Sequence, residues 1–219
     1  MLPYLNFHTH RRAAAPTERV IRDLSPVLAG GHDVPQPAEE WFSAGIHPLY
    51  IPASTEQALT ELEKLWSLPG CAAVGEAGID KNSPAPLPLQ CEVFARQLEA
   101  ARRHGLPVTV HCVRAWDELL MVCRSTAPDV PCVVHGFRGR PELARQLLDK
   151  GFYLSFGTRF NPQSLTLCPA DRLFLETDED SCHAAQLYTT AAHLRGCTAE
   201  TLNRQCTDNL QRISRPGLF

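Results

Sequence analysis

The sequence predicts a single parallel α/β barrel of the (β/α)8 TIM type, somewhat abbreviated, and three observations predict it. Eight short apolar runs recur along the 219-residue chain, amphipathic stretches separate them, and histidines or carboxylates stand just after several of the runs. Strands alternating with helices build a parallel sheet. In a barrel the carboxyl ends of all strands converge on one face, so polar groups at strand ends from distant parts of the chain can meet there.

The strand candidates are residues 2–7, 19–24, 41–46, 71–74, 107–110, 131–134, 152–156 and 172–175. The second is ambiguous, because Val20, Ile21 and Leu24 also suit one face of a helix. Three helices are well punctuated. Residues 55–66 carry Leu59, Leu62 and Leu65 on one face, start at Ser54-Thr55 and are followed by Pro69-Gly70. Residues 90–104 repeat the pattern with Phe94, Leu98 and Ala101, and Gly105 stands where a left-handed cap belongs. Residues 141–150 open with Pro141 and close on Gly151. Residues 30–37 and 83–88 read as surface loops, and 159–170 as a longer loop with one helical turn. Barrels of this type average about 250 residues, so economy is expected, and the region 11–40 is the place for it.

Length and spacing predict one domain, residues 1–219, able to bury about 70% of the surface of its unfolded chain. The net charge of −3 creates no field that would attract a polyanion, so arginines near the site and bound cations must hold any nucleic acid. Nine cysteines stand singly, without CxxC or zinc-finger spacing, and read as reduced thiols, several of them in the core. The start, Met1-Leu-Pro-Tyr-Leu-Asn-Phe-His8, lacks the apolar segment of a signal peptide, and no apolar run approaches the ~20 residues that span a bilayer. A cytoplasmic protein without membrane attachment is expected, and no protein partner is implied.

The groups that follow the apolar runs are His8, His10, Glu76, His111, His135 and Asp178. His8 and His10 are two residues apart and can point to one side of a strand. Glu76 lies between Gly75 and Gly78, which let the backbone bend tightly beside a carboxylate. Four imidazoles and two carboxylates suit Zn²⁺ or the harder Mg²⁺ and Mn²⁺, and suffice for two ions sharing a carboxylate. An aspartate beside an ion-activated water can accept its proton, which makes Asp178 a candidate catalytic residue.

Six segments in order, Asn6-Phe-His-Thr-His10, Gly45-Ile-His-Pro48, Val74-Gly-Glu-Ala-Gly-Ile-Asp80, Leu106-Pro-Val-Thr-Val-His111, His135-Gly-Phe-Arg-Gly139 and Leu175-Glu-Thr-Asp178, resemble the TatD family of metal-dependent hydrolases, relatives of the amidohydrolases. The resemblance implies that His8, His10 and Asp178 hold one divalent ion, that His111 and His135 hold a second, and that Glu76 bridges them. It also implies hydrolysis of a phosphoester, possibly DNA, since characterised relatives are mostly deoxyribonucleases.

The departures concern the surroundings of the ligands. Asn6 stands where an Asp commonly precedes the paired histidines, Gly136 where Cys is frequent, Leu49 where a second His is usual, and Glu179-Asp-Ser where Ser-Pro follows the last Asp. The ligand positions survive better than those facing substrate. His47 and Arg138 are the expected substrate contacts, the latter as a guanidinium able to hold a phosphate oxygen, with Arg11, Arg12, Arg114, Arg140 and Arg159 as further candidates. Glu176 shares strand parity with Asp178 and can orient a histidine. His32, His104, His183 and His193 read as surface or capping residues. Two rival readings stay open: an amide or ester hydrolase using the same ions, and a metal-binding protein without turnover.

Overall fold

The computed structural model describes residues 2–13, 15–25 and 41–218. His32, the loop expected at 30–37 and most of the abbreviated stretch expected within 11–40 lie outside them. The strands are β1 (Tyr4–Thr9), β2 (Glu18–Asp23), β3 (Trp41–Ala44), β4 (Cys71–Asp80), β5 (Val108–Val113), β6 (Cys132–Val134), β7 (Tyr153–Phe156) and β8 (Leu173–Leu175). Their hydrogen-bonded order follows the chain, β1 to β8. The pairings of β1 with β2, β3 with β4, β4 with β5, β6 with β7 and β7 with β8 are parallel. Thr9 also bridges Asp178 in parallel, just beyond the end of β8. Strand order and this return to β1 are those of the (β/α)8 class the sequence predicts. The second run, ambiguous in sequence, is a strand.

Among the described residues the helices are α1 (Thr55–Trp66), α2 (Leu87–His104), α3 (Trp116–Thr126), α4 (Pro141–Asp149), α5 (Pro162–Leu167), α6 (Ala184–Arg195) and α7 (Ala199–Ile213). α2 begins three residues before the expected start, because Pro88 in a first turn gives up only an amide that has no partner inside the helix. Gly105 caps it with φ 64, and the helical turn expected within 159–170 is α5.

Contacts divide the chain into two units, Met1–Arg22 with Val133–Ile213, and Asp23–Cys132 with Ser214–Phe219. In the first, Phe7 stacks on Phe174 at 4.4 Å between ring centroids, and Tyr153 packs on Phe174 at 5.9 Å. α6 and α7 tie down β1: the Tyr188 hydroxyl donates to the Leu5 carbonyl (2.9 Å), and the Leu5 amide donates to Asn203 Oδ1 (2.9 Å). Backbone groups of a strand facing helices would otherwise lose water without replacement.

In the second unit two buried glutamines of α2 finish two strands. Gln97 Oε1 accepts the Ile46 amide (2.7 Å) and its Nε2 donates to the Ile46 carbonyl (3.2 Å), which is why β3 stops at Ala44 rather than 46. Gln90 Oε1 accepts the Asp80 amide at the end of β4 (2.8 Å). β4 runs to Asp80, six residues past the expected end, alongside β5 with Gly78 opposite His111. A Cβ at Gly78 would lie 1.9 Å from the His111 carbonyl oxygen, and its φ is +152°. Only glycine permits that approach.

Candidate metal centre

In the first unit the paired imidazoles sit at the carboxyl end of β1. His8 is buried within the strand and His10 follows it, half-buried. Asp178 Oδ1 lies 3.3 Å from His10 Nε2 and 3.7 Å from His8 Nε2, and the rings of His8 and His135 are 4.5 Å apart. His8, His135 and Asp178 each offer a ligand atom, and these atoms lie within 4.8 Å of one another.

Asp178 achieves this with a left-handed backbone, φ 54. That conformation is uncommon for a residue with a side chain and persists where the surroundings enforce it. Here the Asp178 amide donates to the His8 carbonyl (3.0 Å), while its own carbonyl accepts from the His10 amide (3.3 Å) and the Thr9 hydroxyl (2.9 Å).

Glu176, fully buried, accepts the Gly136 amide on Oε1 (2.6 Å), and the same oxygen is 3.3 Å from His135 Nδ1. A carboxylate only accepts, so Nδ1 carries the ring hydrogen and Nε2 keeps its lone pair. Asn6 uses both ends of its amide: Oδ1 accepts the Thr177 amide (3.0 Å), and Nδ2 donates to Thr177 Oγ1 (2.8 Å) and Glu18 Oε1 (3.3 Å). An aspartate there would set two carboxylates against each other. The departure at position 6 thus fits its neighbour at 18.

The second unit holds the other expected carboxylate. Glu76 Oε1 is 2.7 Å from His111 Nδ1 and 3.1 Å from His47 Nε2. These three residues also offer ligand atoms within 4.8 Å of one another. Buried Asp80 lies with Oδ2 3.1 Å from His111 Nε2, so the ring stands between two carboxylates, and a hydrogen held on Nε2 by Asp80 leaves Nδ1 able to turn its lone pair to a cation. A hydrogen on Nδ1 bridges the 2.7 Å to Glu76, and a cation held by both groups can take its place. That donor set fits a divalent ion.

His47 differs from a ligand. It caps the 3-10 turn Pro48–Tyr50, and its Nδ1 accepts the Leu49 amide (3.1 Å), so Nε2 carries hydrogen and donates toward Glu76. It also borders a cavity of about 560 Å³ whose rim includes Tyr50 and Gln57. Arg138 is exposed and lines a smaller cavity, about 170 Å³, together with Arg159, Thr158, Asp178, Glu179 and Asp180. Arg11 donates to the Asp180 carbonyl. His104 is 2.7 Å from Glu63 Oε2, and His183 and His193 are exposed. Asp80 was overlooked in sequence as an orienting group, although it stands in strand register with Glu76, four residues on.

The family model described as TatD related DNase matches residues 34–215. The chain belongs to the TatD family. Among its relatives, a 3'-5' ssDNA/RNA exonuclease TatD from Erwinia billingiae is 30% identical over 208 residues, covering 82% of this chain and 79% of that protein. A TatD metal-dependent hydrolase from Mycobacterium tuberculosis is 31% identical over 184 residues, covering 76% and 70%. Among solved structures, the TatD homologue YJJV of Escherichia coli superposes with TM-score 0.77 at 21% identity, covering 96% of this chain and 97% of that one. A TatD-family hydrolase from Entamoeba histolytica gives TM-score 0.74 at 12% identity, covering 98% and 99%. The chain is therefore a TatD-family metal-dependent hydrolase with the fold of these proteins. No helix among the described residues is long and apolar enough to cross a membrane.

Proposed function

We propose that the chain, acting as one hydrolase domain, uses two divalent ions, Zn²⁺ first and Mg²⁺ or Mn²⁺ as alternatives, to hydrolyse phosphodiesters, with DNA among the substrates. The observation that carries this is the pair of clusters: His8, His135 and Asp178 in one unit, Glu76 and His111 in the other, with carboxylates Glu176 and Asp80 behind the imidazoles. His10 would join the first set, and Glu76 would be the carboxylate that the resemblance gives to both ions. Bound ions would supply Lewis acidity, lowering the pKa of a water toward neutrality and screening charge on the phosphoryl oxygens.

The chain's own residues do the rest. Asp178, partly open to solvent, accepts the proton of the attacking water. His47, with hydrogen on Nε2, would donate to a substrate oxygen. Arg138 offers a fork of donors to a phosphate. The names of the relatives, exonucleases on single strands, support nucleic acid as substrate, and nine free cysteines support a reducing, cytoplasmic setting.

The acid-rich lining of the cavity beside Asp178, with Glu179 and Asp180 in it, favours one rival, a small amide or ester substrate. Protein stripped and reloaded with Zn²⁺, Mn²⁺ or Mg²⁺ decides, assayed on bis-p-nitrophenyl phosphate, single-stranded DNA, simple esters and anilides. Diester cleavage that falls by ~10²–10⁴ in Asp178→Asn and is unchanged in Arg124→Ala supports the proposal. Cleavage of esters or anilides alone selects the rival. Two bound ions with no cleavage would mean a binding protein.

A further inference from the structure

We infer that Asp23 is a positioning residue that sets Glu76 for metal binding. Asp23 ends β2 and is buried, 2% exposed. Its Oδ1 gathers three donors: the Ser25 hydroxyl at 2.9 Å, the Ser43 hydroxyl at 3.3 Å and the backbone amide of Glu76 at 3.0 Å. The Glu76 amide is shared, lying also 3.0 Å from Ser25 Oγ.

The place is where the amide needs such a partner. Gly75 has φ +137°, and a Cβ on it would meet the Thr109 carbonyl oxygen at 2.6 Å. The pairing of β4 with β5 shifts register between Val74 and Ala77. The backbone at Glu76 therefore leaves the regular ladder, and its amide is taken by a side-chain carboxylate instead of a neighbouring strand. A charged acceptor makes a shorter and stronger bond than a neutral one. Holding the amide fixes the start of the Glu76 side chain, whose Oε1 reaches His111 and His47. Through this bond Asp23 acts on the Glu76 main chain.

This inference rests on the proposed metal centre, and its test separates the two. Calorimetric titration of metal-free protein with Zn²⁺ is compared for wild type, Asp23→Ala, Asp23→Asn and Ser43→Ala, alongside thermal melting and the amide spectrum of uniformly ¹⁵N-labelled protein. Asp23→Ala is expected to keep its melting transition, to weaken Zn²⁺ binding ten- to a hundredfold, since Glu76 serves both equivalents, and to shift the Glu76 amide proton upfield. Asp23→Asn, which keeps an acceptor oxygen, restores most of both readouts. Ser43→Ala, which removes only the longest of the three contacts, stays near wild type. Asp23→Ala that binds both equivalents as wild type does, with the Glu76 amide unmoved, overturns the inference and leaves the metal centre standing. Asp23→Ala and Asp23→Asn that lose both equivalents together with the melting transition also overturn it, since Asp23 would then support the fold generally. Wild type that takes up no Zn²⁺, with its Glu76 amide still shifted by Asp23→Ala, would refute the metal centre while leaving the positioning of Glu76 supported.

Discussion

A buried imidazole can serve as a ligand only if the correct nitrogen is bare, and in this chain a carboxylate decides that at each of two histidines. Glu176 takes the hydrogen side of His135, and Asp80 that of His111. Glu176→Gln replaces an acceptor by an amide that can rotate to present hydrogens to Nδ1 and to the Gly136 amide. Zn²⁺ affinity is expected to fall roughly ten- to a hundredfold, with little change in the circular dichroism spectrum. Titration with a competing chelator checks it, and affinity unchanged in this variant would show that packing alone orients His135. At this scale much was legible: an imidazole or carboxylate after an apolar run is conspicuous in sequence. Asp23 was hidden because Leu24 carries the apolar run past it, and Asp80 because the run before Gly75 suggested that the strand was over.

At the scale of elements the lesson of β4 is that glycine after an apolar run does not end a strand when the neighbour must come close. Gly78 faces His111 so tightly that no side chain fits between them. Gly78→Ala is expected to cost roughly 3 kcal/mol or more, from overpacking together with an unfavourable φ. It should also displace His111 from Glu76. Urea unfolding measures the first effect, and a parallel loss of Zn²⁺ uptake the second; an alanine variant as stable as wild type would mean β4 and β5 separate freely. The helices α3, α6 and α7 were not marked out in sequence. α7 repeats Leu202, Cys206, Leu210 and Ile213 at helical spacing, a readable stripe, whereas α6 buries small residues, Ala184, Ala191 and Ala192, around Leu187 and Tyr188 and so gives little contrast between faces.

For the molecule as a whole, free cysteines largely shielded from water make stability depend on alkali. Loss of water on burial pushes the thiols of Cys71, Cys112, Cys168 and Cys206 each up to about 12, from an ordinary value near 9. Between those limits the unfolded chain releases protons that the folded chain keeps, so the unfolded state binds fewer and stability falls as pH rises. Below pH 9 the contribution is fully present; above it, each thiol costs on the order of 1.4 kcal/mol per pH unit until it ionises in place. Both units carry such thiols, Cys168 and Cys206 in the first and Cys71 and Cys112 in the second. The expected outcome is a urea midpoint that is flat from pH 7 to 8.5 and drops steeply by pH 10. Replacing Cys206 by alanine removes one ionisable group at the price of a small cavity, so this variant starts less stable at pH 7 but loses stability less steeply above pH 9. An identical slope in wild type and variant would show that other groups, not the buried thiols, govern alkaline unfolding.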